Sequence, residues 1–133
     1  GIAEERDEIR SRGEESAEPE LAAGAAPELT PVELQARLNR GEPVVIVDVR
    51  EPDEFTGALG HIAGAKPVPF GFLLSRTEQL SKEKPIVVVC RSGARSAQAT
   101  VLLRNAGFAK VANLAGGMLR WRGQRFAVVG GAD

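Results

Sequence analysis

Two nearly continuous runs of apolar, mostly β-branched residues stand out along the chain: VVIVDV at 44–49 and IVVVC at 86–90. Runs of this kind, without regular alternation of polar residues, predict strands that are buried on both faces of a sheet. Shorter strands are predicted at 66–68 and at 111–114, where the sequence is VANL. The hydrophobic pattern therefore indicates a sheet that is covered on both sides.

Helical signals lie between these runs. Thr30, Pro31 and Glu33 form a T-x-x-E capping box with proline in the first turn, and Gly41 suits the end of that helix. Further helices are predicted at 53–56, 70–80, 95–106 and within 116–123, and the acids of 51–54 fit a helix N-terminus. Alternating strands and helices predict an α/β fold with a central, mainly parallel β-sheet flanked by helices on both faces.

The N-terminal segment differs from the rest in composition. Residues 1–26 hold eight acids and three arginines, whereas residues 27–133 hold ten acids and fourteen lysines or arginines. Residues 1–27 also lack an apolar stripe, which predicts a flexible acidic arm or linker. An acidic docking segment is the alternative for these residues.

Composition limits the classes of function. With 133 residues and 43% hydrophobic residues, the chain suits one compact domain, whose mildly basic balance fits small anions. It has no concentrated basic run or aromatic ladder for nucleic acid, and no stretch near the roughly 18 apolar residues that a membrane span needs. One cysteine and one histidine provide neither an internal disulfide nor a zinc site. We therefore expect a cytoplasmic protein that uses no metal and binds neither nucleic acid nor membrane.

Cys90, the only cysteine, stands at the carboxyl end of the 86–90 run, where ligands bind in parallel sheets. The loop after it contains small and basic residues, so its backbone can curl and point amide groups inward as an anion nest. The N-terminus of the next helix and the charges of Arg91 and Arg95 add to the same positive field. These effects favour a nucleophilic thiolate over a buried structural cysteine.

The spacing between Cys90 and Arg95 restricts the substrate. Four residues separate the two, whereas cysteine-dependent phosphatases place five between the corresponding positions. The smaller ring suits one extra sulfur atom on the cysteine better than a tetrahedral phosphate, and sulfur transfer needs no general acid for an alkoxide. The spacing therefore disfavours a small phosphatase or an arsenate reductase.

Four blocks occur in a characteristic order: DVREPDEF at 48–55, GHIAGA at 60–65, CRSGARS at 90–96 and LAGGMLRW at 114–121. In this arrangement the chain resembles single-domain rhodanese-like sulfurtransferases. The resemblance implies the rhodanese fold over residues 28–126, followed by a C-terminal tail over 127–133. It also implies that the loop cysteine carries a persulfide.

The resemblance further implies a two-step reaction without a cofactor. Cys90 takes the sulfane sulfur of a small anionic donor such as thiosulfate, and a thiol or cyanide then accepts it. Arg91 is expected to attract the donor, and Arg95 either contacts substrate or pins the loop to an acid. The implied catalytic residue is Cys90, and the implied substrate-binding residues are Arg91, Ser92, Gly93, Ala94 and Arg95. The alternative is a sulfur-relay or interaction module that carries persulfide for a protein partner and turns over thiosulfate poorly.

Several other residues invite a catalytic role. His61 suggests a Cys–His pair, but a loop-stabilised thiolate needs no base, and GHI is a structural turn in the family that the chain resembles. Asp48 and Arg50 are expected to form a structural ion pair at the strand end. Met118 and Trp121 are expected to cover the sheet edge rather than line an acceptor pocket.

Overall fold

The computed structural model describes residues 26–132. Its strands are β1 (Glu28–Leu29), β2 (Val45–Asp48), β3 (Lys66–Pro67), β4 (Ile86–Val89) and β5 (Val111–Leu114). Its α-helices are α1 (Pro31–Asn39), α2 (Pro52–Phe55), α3 (Ala94–Asn105) and α4 (Gly117–Gly123). The elements alternate along the chain as the hydrophobic pattern predicted.

The five strands form one sheet in the order β1-β5-β4-β2-β3, and every pairing within it is parallel. Val88 at its centre pairs with Val47 of β2 on one side and with Asn113 of β5 on the other. Because all strands run the same way, their carboxyl ends meet at one edge of the sheet. Ligands of parallel sheets bind at this edge.

The two faces of the sheet are covered by different helices. Side chains of successive strand residues point to opposite faces, and Val87 and Val88 accordingly belong to separate hydrophobic clusters. The cluster of Val88 includes Leu103 of α3, whereas that of Val87 includes Leu34 of α1 and Trp121 of α4. The predicted α/β fold, with helices on both faces, is thereby confirmed.

The capping box predicted for the first helix is present. The Glu33 amide donates to Thr30 Oγ1 over 3.1 Å, and the Thr30 amide donates to the Glu33 carboxylate over 2.8 Å. Pro31 occupies the first turn, where its missing N–H costs nothing. The helix therefore begins where the sequence indicated.

Two sequence expectations differ from the structure. Residues 70–80 do not form one helix but two 3₁₀ helices, Phe70–Phe72 and Leu74–Gln79, the second interrupted by non-helical angles at Arg76. The Phe70 amide donates to Val49 O over 2.9 Å, so the chain is still tied to the end of β2 where the helix was expected to begin. Short 3₁₀ pieces are common in such connections. In addition, β1 had not been predicted.

Residues after α4 return to the body of the domain. Val129 forms an antiparallel bridge with His61, and the Ala132 amide donates to Ala58 O over 2.7 Å. The predicted arm over 1–27 lies outside the described residues except for its last two positions. None of the helices within residues 26–132 has the length and hydrophobicity needed to cross a membrane.

Candidate active site

Cys90 lies directly after β4 at the carboxyl edge of the sheet and is 1% exposed. Three donors surround its sulfur: the Gly93 amide at 3.1 Å, the Ser96 hydroxyl at 3.2 Å and the Ser96 amide at 3.4 Å. Two of these donors are backbone groups at the start of α3. The sulfur thus occupies a nest of N–H groups of the kind that binds anions.

Two opposing effects act on the pKa of Cys90. Burial raises it, because a thiolate loses solvation, whereas hydrogen bonds from the Ser96 hydroxyl and from the amides of Ser96, Gly93 and Ser92 lower it. The hydrogen bonds prevail, and the pKa of Cys90 lies below its ordinary value. The site therefore increases the fraction of reactive thiolate.

Helix α4 holds the loop from the other side. The Met118 amide donates to Cys90 O over 2.9 Å, and the Leu119 amide donates to Arg91 O over 3.0 Å. Gly117 packs so closely that a β-carbon there would collide with the carbonyl oxygens of Cys90 and Arg91. Gly117 also has a φ of +57°, a value that favours glycine. Gly117, the first residue of α4, is thus part of the loop's support, a role that was not predicted from the sequence.

The two arginines of the loop have different surroundings. Arg95 donates to both carboxylate oxygens of Glu54, over 2.8 and 2.9 Å. This pairing with Arg95 lowers the pKa of Glu54 to about 2. Arg91 is exposed, and its guanidinium makes no hydrogen bond or ion pair to any residue between 26 and 132. Arg95 thus pins the loop to an acid, whereas Arg91 faces solvent.

The remaining loop residues shape the nest. Gly93 is buried and has a φ of +102°, which brings its amide toward the sulfur at little steric cost. Ser92 and Ala94 are exposed, and of their polar groups the Ser92 amide contributes to the low pKa of Cys90. Within residues 91–95, it is the backbone amides of Gly93 and Ser92 that act on the Cys90 sulfur.

The contacts of Ser96, Asn113 and Glu28 near the sulfur were not predicted from the sequence. Ser96 had been placed only at the helix start, yet its hydroxyl contacts both Cys90 Sγ and Asn113 Oδ1. The Asn113 amide group in turn donates to Glu28 Oε2 over 3.1 Å and to Gly93 O over 3.2 Å. The only signal in the sequence is a polar residue inside the short strand VANL.

The other candidate residues have structural surroundings. His61 stacks on Phe55, with ring centroids 3.8 Å apart, and its Nδ1 lies 3.0 Å from Phe55 O. Asp48 and Arg50 form the expected buried ion pair at 2.8 Å. Among residues 26–132, no group of three or more potential metal-ligating side chains comes together.

Met118 and Trp121 are buried in the cluster under α4, against one face of the sheet. Trp121 donates from its indole nitrogen to Ala127 O over 3.0 Å. Both side chains therefore cover the sheet, as expected, and neither offers an open surface to an acceptor.

Comparison with known proteins identifies the family. The sequence model of the Rhodanese-like domain matches residues 30–124, which include the whole Cys90 loop and all of α4. The chain belongs to the rhodanese-like domain family. The resemblance that the four sequence blocks indicated is thereby confirmed.

Individual relatives of this rhodanese-like domain are sulfur-handling proteins. It is 40% identical to a sulfurtransferase of Allochromatium vinosum over 66% of the chain and 80% of that protein. It is 34% identical to a putative sulfur carrier protein of Bacillus subtilis over 87% of the chain and 60% of that protein. A thiosulfate sulfurtransferase from Pseudomonas aeruginosa has a structure similar over 83% of this chain and 21% of its own, with TM-score 0.72 and 30% identity. The family to which this domain belongs thus includes sulfurtransferases and a putative sulfur carrier protein.

Proposed function

We propose that this domain transfers a sulfane sulfur from a small anionic donor such as thiosulfate to a thiol or cyanide, through a persulfide on Cys90. The observation that carries the proposal is the set of donors that converge on one buried sulfur, with two backbone amides and a hydroxyl at 3.1–3.4 Å. Such a nest stabilises a thiolate without a neighbouring base. The similarity to a thiosulfate sulfurtransferase supports thiosulfate as the first donor to test.

In the first step, the Cys90 thiolate attacks the outer sulfur of thiosulfate. A new S–S bond forms to Cys90 Sγ, and the S–S bond within thiosulfate breaks. The electron pair of the broken bond leaves with sulfite. The outer sulfur of the resulting persulfide carries the negative charge, within reach of the same amide groups that held the thiolate.

In the second step, a thiolate or cyanide attacks the outer sulfur, and the electron pair of the persulfide bond returns to Cys90. Cys90 is a good leaving group because its pKa is held below the ordinary value, which also raises the fraction of thiolate available for the first step. The two steps together regenerate the starting thiolate. This is covalent catalysis of the ping-pong type.

Arg91 and Arg95 have different roles in this proposal. Arg91 is exposed beside the nest, so its charge draws the anionic donor toward Cys90. Arg95 is paired with Glu54 on both oxygens and therefore orients the loop. A direct contact of Arg95 with substrate would require this bidentate pair to open.

A sulfur-relay role is the second candidate, in which a protein supplies or accepts the sulfur. It is favoured by the similarity to a putative sulfur carrier protein, which extends over 87% of this chain. Both candidates use the Cys90 persulfide and differ in the identity of the donor and acceptor. Slow turnover of thiosulfate and cyanide, with fast exchange of sulfur with a protein thiol, would favour the relay.

The test is the formation of thiocyanate from thiosulfate and cyanide by the full chain, beside Cys90→Ser and Lys84→Gln. Lys84 is exposed and lies before the amino end of β4, away from the nest. We expect activity in the wild type and in Lys84→Gln, and none in Cys90→Ser. Activity that survives in Cys90→Ser would overturn the assignment of the nucleophile. Hydrolysis of an aryl phosphate by the wild type would instead support a phosphatase.

A further inference from the structure

The Ser96 hydroxyl lies between two acceptors but has only one proton to donate. Cys90 Sγ is 3.2 Å from Ser96 Oγ, and Asn113 Oδ1 is also within hydrogen-bond distance. All three residues are almost completely buried, so water cannot replace a missing partner. The proton must therefore serve one acceptor at a time.

The orientation of the Asn113 amide follows from its neighbours. Its nitrogen faces Glu28 Oε2 at 3.1 Å and Gly93 O at 3.2 Å. A carboxylate and a carbonyl oxygen only accept hydrogen bonds, so the NH₂ group must point toward them. The Asn113 oxygen consequently faces Ser96 and requires its proton.

The protonation state of Cys90 decides which acceptor receives that proton. While Cys90 is a thiol, its S–H can donate to Ser96 Oγ, and the Ser96 hydroxyl can donate to Asn113. When Cys90 ionises, the negative sulfur becomes the stronger acceptor, because hydrogen bonds to charged groups are the stronger ones. The hydroxyl then turns to the sulfur, and a buried amide oxygen is left without a donor, which is unfavourable.

We infer that Ser96 and Asn113 are positioning residues that form a one-proton switch beside the nucleophile. The Ser96 hydroxyl donates to Cys90 Sγ in the thiolate and to Asn113 Oδ1 when Sγ is uncharged, as in the thiol and the persulfide. Asn113, oriented by Glu28 and Gly93, thus competes with the sulfur for this proton.

The switch has a consequence for the sulfur-transfer reaction, and this part rests on the proposed function. As the Cys90 thiolate forms its bond to the donor sulfur, negative charge leaves Sγ, and the Ser96 proton can return to Asn113. No proton leaves the site, and the electron pair of the broken bond departs with sulfite. The competition by Asn113 therefore opposes ionisation slightly but favours the attack that follows.

Other charges around Cys90 must be kept constant in a test. The charged groups on the elements packed around the nest are Arg91, Arg95, Glu51, Glu54, Glu28, Arg120 and the Asp48–Arg50 pair. Uncharged substitutions of Ser96 and Asn113 leave all of them unchanged. Any change in the reactivity of Cys90 in these variants therefore reports on the hydrogen bonds of the switch and not on a change in the surrounding charges.

The experiment measures the alkylation rate of Cys90 by iodoacetamide as a function of pH in the full chain, where Cys90 is the only thiol. The proteins are wild type, Ser96→Ala, Asn113→Leu and the double variant. Ser96→Ala should shift the midpoint to higher pH and lower the rate below the midpoint roughly tenfold, as expected for loss of a hydrogen bond to a charged group. Asn113→Leu should shift the midpoint to lower pH and lower the plateau rate, because a more stabilised thiolate is a weaker nucleophile.

The decisive comparison is Asn113→Leu in the two backgrounds. Without the Ser96 hydroxyl, the substitution should change neither midpoint nor plateau. If Asn113 only held the loop in shape, Asn113→Leu would shift the midpoint to higher pH and would do so equally in the Ser96→Ala background, and this result would overturn the switch. The control Thr100→Val removes a hydroxyl one turn further along α3, bonded to Ser96 O, and should leave both parameters unchanged.

A second substitution keeps the test open should Asn113→Leu fail to fold. Asn113→Asp retains an acceptor for Ser96 and adds a negative charge. Because the field of that charge acts in both backgrounds, only the difference between them reports on the hydroxyl, and the midpoint should rise more in the presence of the hydroxyl than in the Ser96→Ala background. Equal shifts would contradict the switch. Since alkylation uses no sulfur donor, failure of the proposed function, seen as absence of a persulfide, is distinguishable from failure of the switch.

Discussion

The neighbouring strands β2 and β4 end in a similar way but have different roles. Each is a buried, β-branched strand that pairs in register with the other up to Asp48 and Val89, and each leads through an arginine-containing loop to a helix. At the end of β2, the buried anion is the Asp48 carboxylate, and the Arg50 side chain donates to both of its oxygens. At the end of β4, the buried acceptor is the Cys90 sulfur, and its donors are amides and a hydroxyl.

The difference lies in which charges are already paired. Arg50 and Asp48 are each 1% exposed and neutralise each other, and Arg50 also donates to Gly60 O and Glu54 O. The Asp48–Arg50 pair at the end of β2 therefore has a structural role. Around Cys90 the donors are uncharged, so they stabilise a negative sulfur without a permanent partner that would block it. The donors at the end of β2 are thus occupied by a fixed carboxylate, whereas those at the end of β4 surround a sulfur that is charged only as a thiolate.

Breaking the ion pair at the end of β2 should have the largest effect on stability. Arg50→Met leaves the Asp48 charge buried and unpaired, which is expected to lower the free energy of unfolding by about 3–5 kcal/mol. Urea denaturation measures the loss. The double variant Asp48→Leu/Arg50→Met should recover much of it, and a loss below about 1 kcal/mol in the single variant would show that the pair is not structural.

Displacing the loop at the end of β4 should instead affect activity. Gly117→Ala places a β-carbon against the carbonyl oxygens of Cys90 and Arg91, so the nest must shift. We expect the rate of persulfide formation to fall roughly a hundredfold, the size of effect that a misplacement of about 1 Å can produce. Gly123→Ala in the same helix is the matched control, since nothing lies within 4 Å of a β-carbon there. Equal rates in the two variants would argue against support of the nest by α4.

Removing the exposed charge beside Cys90 should have a moderate effect. Arg91→Gln is expected to lower kcat/KM for thiosulfate by about tenfold at low salt, and by less at high salt, because the charge attracts an anion through solvent. Stability should not change. Lys84→Gln removes one positive charge at the opposite edge of the sheet and should leave kcat/KM unchanged. Equal losses in both variants would indicate a general charge effect rather than a local one.

The pair between Glu54 and Arg95 should contribute least to stability. Both side chains are partly exposed, so Glu54→Gln should cost less than about 1 kcal/mol at neutral pH. The pKa of Glu54 is lowered from 4.5 to about 2, so its contribution is present above about 4.5 and is lost as the pH falls toward 2. The wild type should therefore lose more stability over this interval than Glu54→Gln. Parallel stability curves from acid titration of the two proteins would contradict the pairing.

Local patterns predicted most of the fold. The β-branched runs located β2 and β4, and the capping box around Thr30 located the start of α1. Both signals depend on neighbours within a few residues. The expected helix over 70–80 was wrong because the chain breaks at Arg76 after the Phe70 amide has bonded to Val49 O beyond β2, a contact that the local sequence does not reveal. Strand β1 has two residues and is defined by pairing with β5, far along the chain.

In the candidate site too, local sequence patterns predict neighbouring residues but not contacts between residues far apart in the chain. Cys90 and its loop could be predicted because strand, loop and helix are contiguous in sequence. The contacts of Asn113 with Ser96 and Glu28 bridge 17 and 85 residues, so no local pattern predicts them. Glu54 had been assigned to a helix N-terminus, which it occupies, but its contact with Arg95 spans 41 residues. The side chains that surround the Cys90 loop are thus brought together only by the tertiary fold.

The most direct test of the central claim is the intact mass of the protein after brief exposure to thiosulfate, with Cys90→Ser treated alongside. The account predicts a gain of one sulfur atom in the wild type, lost again on addition of cyanide, and no gain in the variant. A wild-type protein that gains no sulfur from thiosulfate, and none from a low-molecular-weight persulfide, would contradict the account.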